Sequence, residues 1–145
     1  MSSKYKLLKE ECYEANMQLN ELGLVVYTFG NVSAVDRAEA IFAIKPSGVP
    51  YETLRPEDIV IVDFDNNVVE GTNRPSSDTK THAYLYKNWD DIGGVAHTHA
   101  KFSCAWAQAQ KDVPIFGTTH ADHLTADIPC APPMSDSLIE GNYEH

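Results

Sequence analysis

With 145 residues, 43% of them hydrophobic and 22% charged, the chain has the composition of one globular domain with a real core. Eleven basic residues against 21 acidic ones give a net charge of −10, which argues against a general nucleic-acid surface, because phosphate neutralisation needs clustered Lys and Arg. Three cysteines (Cys12, Cys104, Cys130) with no CxxC pair indicate neither a disulfide framework nor a thiolate zinc knuckle, and no apolar run is long enough to span a bilayer or to act as a secretory leader, so a reducing cytoplasm is the expected compartment.

Leu7, Leu8, Cys12, Ala15, Leu19 and Leu22 recur at helical spacing before Gly23, which predicts an amphipathic helix over residues 4 to 22. Three short apolar runs follow, "LVVYTF" (24–29), "AIFAIKP" (40–46) and "DIVIVDF" (58–64). Separated by Gly, Pro, Asn and Asp, they read as strands of an antiparallel or mixed sheet. Asn66 and Asn67 carry the turn chemistry of a hairpin. A helix is expected to start near Ser77 or Asp78, "IGGVAHTH" reads as a buried strand, and "AKFSCAWAQAQ" as a helix directly after it. Beyond Val113 the pattern gives a short strand around 115–118, a Pro-rich connection through "IPCAPPM" and a helix beginning at Ser135. That last helical pattern has only begun when the sequence stops, so the domain is expected to continue past His145.

The chemistry concentrates in a few short stretches. In an extended strand alternate side chains share a face, so His97 and His99 would project to the same side at the rim of a sheet, as two imidazoles of a metal site. Zinc needs three or four such ligands and keeps one position open when catalytic. Ser76, Ser77 and Asp78 stand at a loop-to-helix junction, where two readings compete. Ser and Asp cap helices, and the same backbone N–H groups and hydroxyls attract a phosphate, with Asp78 in reach of a metal or a metal-bound group. Gly30 and Asn31 in "TFGNVSAV", and Lys45, Ser47 and Gly48 in "IKPSGVPY", give two more loops with phosphate-cradle character. "GTTHADHL" adds His120, Asp122 and His123; Asp122 is a candidate general acid/base and His120 an alternative third zinc ligand, and spacing does not choose between them.

Taken together, "FGNVSAVDR", "IKPSGVPY", "VVEGTNRPSSDTKTH", "IGGVAHTHA", "WAQAQ" and "GTTHADH", in that order, closely resemble the class II aldolase/adducin family, and its epimerase branch most. The resemblance implies a single α/β domain over 1–145, with a three-layer α/β/α fold and a central, largely antiparallel sheet. It also implies a homotetramer with active sites between subunits. One Zn2+ per subunit is implied on His97 and His99, with Asp78 at or beside the metal. A small sugar-phosphate substrate would have its phosphate held by Gly30, Asn31, Ser47, Gly48, Ser76 and Ser77, with Lys45 nearby. Asp122 matches the family's acid/base, and His120 is then not a ligand. The reaction implied is zinc-dependent inversion at C4 of L-ribulose 5-phosphate to give D-xylulose 5-phosphate, in pentose catabolism of the L-arabinose or L-ascorbate type. A retro-aldol break of C3–C4 accounts for it, because the hydrogen on C4 is not next to the carbonyl and is not acidic.

The resemblance also marks a departure. The family's third histidine ligand, and a tyrosine reaching in from the neighbouring subunit, belong to a C-terminal part that these 145 residues do not include. A fragment without activity, or an adducin-like interaction module, is therefore one alternative. The other is a sugar-phosphate aldolase of the L-fuculose or L-rhamnulose 1-phosphate type. Aldolases of that kind resemble the chain at the zinc and phosphate loops but typically carry Glu in the place of Asp78.

Overall fold

The computed structural model describes residues 3–140, which divide into two compact units, one ending at Thr98 and the other beginning at His99. In the first unit a five-stranded antiparallel sheet has the order β4-β3-β2-β1-β5. Its strands are β1 (Asn31–Asp36), β2 (Ile41–Ile44), β3 (Val60–Asp63), β4 (Val68–Glu70) and β5 (Gly94–His97). The first four form a meander, and the chain then crosses through a helix to lay β5 on the far side of β1.

Alternation along the strands builds a core on each face. Ala34, Ile41, Ala43 and Ile61 pack with Cys12 of helix α1 (Lys6–Glu21), whereas Phe42, Ile44, Val60 and Val62 pack with Ala83 and Tyr86 of helix α2 (Thr79–Asn88). The sheet is thus covered on both sides, an α/β/α arrangement, which is why β2 and β3 are continuous apolar runs. Each such side chain fully buried contributes about 1.5–3 kcal/mol, so these two strands anchor the unit.

Three expected strands differ. "LVVYTF" is not a strand: Tyr27 takes φ 55 in an exposed turn, and the strand is the next stretch, "NVSAVD". Polar Asn31 and Ser33 alternate there with apolar residues, and both are buried, so a search for apolar runs slides past it. "IGGVAHTH" is the half-exposed edge strand β5, and it ends at His97, short of His99. The third concerns the second unit.

That unit holds helices α3 (Lys101–Gln108), α4 (Gly117–Ala121) and α5 (Asp136–Glu140), with a bridge between Val113 and Ile128. The strand expected at 115–118 is replaced by α4, entered through Gly117 at φ 71. β-branched and aromatic residues at Ile115, Phe116, Thr118 and Thr119 imitate a strand, but the left-handed glycine turns the chain. None of the described residues from His99 onward is fully buried.

Candidate active site

Gly30 opens the first unit's polar junction. Its φ is +73, and a Cβ there would lie 2.5 Å from Val25 Cγ1 and 2.8 Å from the His97 carbonyl oxygen. Only glycine lets the loop and the end of β5 approach this closely. Asn31 follows, paired across the sheet with His97 and 3% exposed. Its Nδ2 donates to Ser76 Oγ (3.1 Å) and to Asp78 Oδ2 (2.5 Å). The Asn31 Oδ1 is buried with no partner among the described residues. The same Asp78 oxygen accepts from His97 Nδ1 at 2.5 Å.

Asp78 stands at the start of α2, yet its side chain makes no capping bond. Ser76 does that work: its Oγ accepts from the Asp78 N–H (3.2 Å) and its carbonyl from the Thr79 N–H and hydroxyl. Of the two readings of this junction, capping belongs to Ser76, and the Asp78 carboxylate is turned to Asn31 and His97. Burial raises the Asp78 carboxyl, but the hydrogen bond and charge of His97, with the Asn31 amide, outweigh it and hold the group below its ordinary value.

Two further loops are laced beside this junction. Ser76 N–H donates to the Lys45 carbonyl (3.2 Å), Ser47 N–H donates to the Arg74 carbonyl (2.9 Å), and Pro46 bridges Pro75. Ser47, Gly48 and Ser77 are exposed. Lys45, expected beside a phosphate, points elsewhere. It is 1% exposed, and its Nζ donates to the carbonyls of Val49 (2.7 Å), Thr28 (3.3 Å) and Pro46 (3.4 Å), 4.7 Å above the Tyr51 ring. Tyr51 Oη lies 3.0 and 3.2 Å from the Gly30 and Phe29 carbonyls. Burial pulls the ammonium down to about 8. Lys45 and Tyr51 together tie down the carbonyls of the 28–30 and 46–49 loops, so the ammonium braces those two loops.

Sequence reasoning passed over the residues under the junction. Ser33 Oγ lies 2.7 Å from His82 Nδ1 and 2.6 Å from Tyr86 Oη, and all three side chains are buried. Asn16 of α1 pairs with both backbone groups of Val32, accepting from its N–H (2.8 Å) and donating to its carbonyl (2.9 Å). The available signal was spacing: Asp78, His82 and Tyr86 recur every four residues, which puts one polar stripe on α2.

His99 and Asp122 belong to the second unit; Asp122 closes α4 and is exposed. Among the described residues no three His, Cys, Asp or Glu side chains are grouped to hold a metal ion. The chemistry of the His97 pair nevertheless fits zinc. A carboxylate on Nδ1 fixes that proton and leaves the lone pair on Nε2, the usual state of a metal-ligating imidazole with its supporting acid. Asp78, expected at or beside the metal, is hydrogen-bonded to His97 Nδ1, where it would orient that ring.

An antiparallel sheet covered on both faces, with a glycine-asparagine loop, a serine-rich helix start and a carboxylate-imidazole pair at one rim, is the architecture of a class II aldolase-type domain. The chain belongs to the family described as the class II aldolase and adducin N-terminal domain, whose model matches residues 10–142. It is 52% identical over 137 residues to the L-ribulose-5-phosphate 4-epimerase UlaF of Salmonella paratyphi B (strain ATCC BAA-1250 / SPB7), and equally to that of Salmonella typhi. Those alignments cover 94% of this chain and 60% of each relative, so the chain spans about three fifths of their length. Among solved structures, an L-fuculose 1-phosphate aldolase superposes with a TM-score of 0.71 at 34% identity, over 79% of this chain and 53% of that one. The l-fuculose-1-phosphate aldolase of Thermus Thermophilus shares the fold, with a TM-score of 0.71 at 23% identity over 89% of this chain and 65% of its own.

Proposed function

We propose that the chain carries the metal and phosphate half of an enzyme that interconverts L-ribulose 5-phosphate and D-xylulose 5-phosphate by breaking and remaking C3–C4. The observation that carries this reading is the Asn31–Asp78–His97 junction, set between two exposed serine-bearing loops. His97 and His99 would hold a zinc ion, which supplies Lewis-acid polarisation of the ketose oxygens when bound. Asp78 fixes the tautomer of His97. The loops of Gly30, Asn31, Ser47, Gly48, Ser76 and Ser77 bind the phosphate through the serine hydroxyls and those backbone N–H groups not already paired between the loops, with the start of α2 adding its positive dipole end. Keeping that phosphate anchored lets the aldehyde fragment turn its face without leaving, which separates epimerisation from aldol cleavage. Asp122 moves the proton on the C4 oxygen. A homotetramer, a cytoplasmic location and service in arabinose- or ascorbate-type catabolism belong to the same reading.

The test restores the relatives' length. Residues 1–140 joined to the matching C-terminal part of the Salmonella relative should convert L-ribulose 5-phosphate to D-xylulose 5-phosphate with little free glycolaldehyde phosphate. Asp122→Asn in that chimera should lower turnover by about 10²-fold or more at unchanged zinc content. Stoichiometric release of the aldehyde would replace the epimerase with an aldolase, and normal turnover of Asp122→Asn would remove the proton role from this residue.

A further inference from the structure

We infer that Ser33, His82 and Tyr86 are positioning residues that set the register of α2 on β1, and through it the contact of Asp78 with His97. Asp78, His82 and Tyr86 follow one another at four-residue intervals along one face of α2, and Asn31 and Ser33 share one face of β1. The two rows meet pairwise: Asp78 on Asn31, then His82 and Tyr86 on Ser33. On the strand side, Asn31 pairs with His97 and Ser33 with Val95. Both partners of the Asp78–His97 bond are therefore tied to the same polar seam.

The rest of this helix–sheet interface is apolar, made by Phe42, Ile44, Val60, Val62 and Ala83. Apolar contacts are non-directional and tolerate sliding, whereas buried polar groups must stay paired. A slip of α2 along β1 would break both bonds to the Ser33 hydroxyl together, and with them the hydrogen bond of the Tyr86 hydroxyl to the Val95 backbone. The Ser33 hydroxyl has one proton, so it donates to one neighbour and accepts from the other. Burial holds His82 down to about 4, so near neutral pH it adds no positive charge beside Asp78 and His97. At the far end, Arg37 donates to the carbonyls of Tyr86, Trp89 and Ile92, closing the end of α2.

The consequence for zinc rests on the proposed function; the consequence for His97 does not. The experiment uses the 15N-labelled chain and long-range 1H–15N correlation of its imidazoles, which reads the His97 tautomer. Ser33→Ala and Tyr86→Phe are compared with Phe42→Leu, a substitution that thins the packing against the Tyr86 ring but removes none of the seam's hydrogen-bonding groups, and urea titration measures the stability of each. Either seam variant suffices if the other does not fold. The parent and Phe42→Leu should hold the proton on Nδ1, while the seam variants shift to a mixture. Zn2+ should bind the seam variants about 10-fold more weakly, as when a group orienting a metal-bound imidazole is lost. A His97 tautomer unchanged in both seam variants, or shifted as much by Phe42→Leu, would overturn the inference. A shifted tautomer, with no zinc bound even by the chimera of restored length, would uphold it and sink the metal reading instead.

Discussion

Gly30 and Gly48 have nearly the same backbone, φ +73 and +72, in very different surroundings, and that pairing isolates how tightly the site's first loop is built. An alanine in left-handed backbone costs roughly 1–2 kcal/mol for the conformation alone. At Gly48 nothing lies within 4 Å of the added carbon, so Gly48→Ala should cost about that and no more. At Gly30 the carbon would sit 2.5 Å from Val25 Cγ1 and 2.8 Å from the His97 carbonyl oxygen. Val25 is itself buried, and the carbonyl is backbone at the end of β5, so neither clears the space by a rotamer change. Overpacking of this kind adds roughly 1–3 kcal/mol, which brings Gly30→Ala to about 2–5 kcal/mol. Urea unfolding of the chain and both variants, followed by far-UV circular dichroism, measures the difference. Because relief comes most readily by pushing the His97 backbone away from Asn31, Gly30→Ala should also disturb the His97 ring signal, and Gly48→Ala should not. Equal losses for the two variants, within about 0.5 kcal/mol, would refute the close approach of this loop to β5.

Lys45→Met should lower stability by about 1–3 kcal/mol, because the carbonyls of Thr28, Pro46 and Val49 lose a buried donor; a variant that weakens phosphate binding at unchanged stability would show the ammonium acting on the ligand directly. His82 gives the pH dependence. Its folded value of about 4 lies below the ordinary 6.5, so the unfolded chain binds the extra proton between those limits. Stability is full above pH 6.5 and falls as pH drops towards 4, by about 3 kcal/mol in all, and His82→Gln should flatten that stretch of a chemical-denaturation profile. The Asp78 contribution has the same direction in a lower window. Its carboxyl is held below 3.8, so what it adds is lost only as pH falls from there through the folded value, and Asp78→Asn should lessen the loss of stability below pH 3.8 while leaving the pH 4 to 6.5 stretch in place.

How much of this was legible in the sequence depends on what kind of signal each residue leaves. The α1 helix, β2, β3 and the Asn66–Asn67 turn were readable because apolar periodicity and turn chemistry are local, and local rules decide them. Asn66 takes φ 69, and the Asp63 carboxylate accepts from the backbone of Asp65 and Asn67, as such a turn requires. The chemical loops were readable for a related reason, since Gly30, Ser76, Asp78 and His97 are residue types with few other reasons to cluster. What each does was not readable. Asp78 looks like a cap and is not one, Ser76 looks interchangeable with Ser77 and alone makes the turn, and Lys45 looks like a phosphate's counter-charge and is 1% exposed. The Asp78 distinction is set by Asn31, 47 residues away, and part of the Lys45 one by Thr28, 17 residues away, separations at which pattern carries no information.

The seam under the site is the sharpest case, because the usual rules point away from it. A strand reading of "NVSAVD" fails if Asn and Ser are assigned to a solvent face, and a helix reading of "TKTHAYLYKN" treats His82 as a surface position. Both assignments follow from the rule that polar side chains face water, and both break at the same place, because each polar row satisfies the other. A match of this kind is a property of the pair of elements, so the stripe on α2 and the polar alternation in β1 carry meaning only when the two are read against each other. It also explains why the polar faces are tolerated in a core that apolar residues would fill with less risk: replacing Ser33 alone takes a hydrogen bond from two partners, so the seam favours the register that brings Asp78 to His97. The proposed chemistry needs that register more than it needs the last increment of stability, and the sequence therefore looks least like a core at the point where the core supports the site.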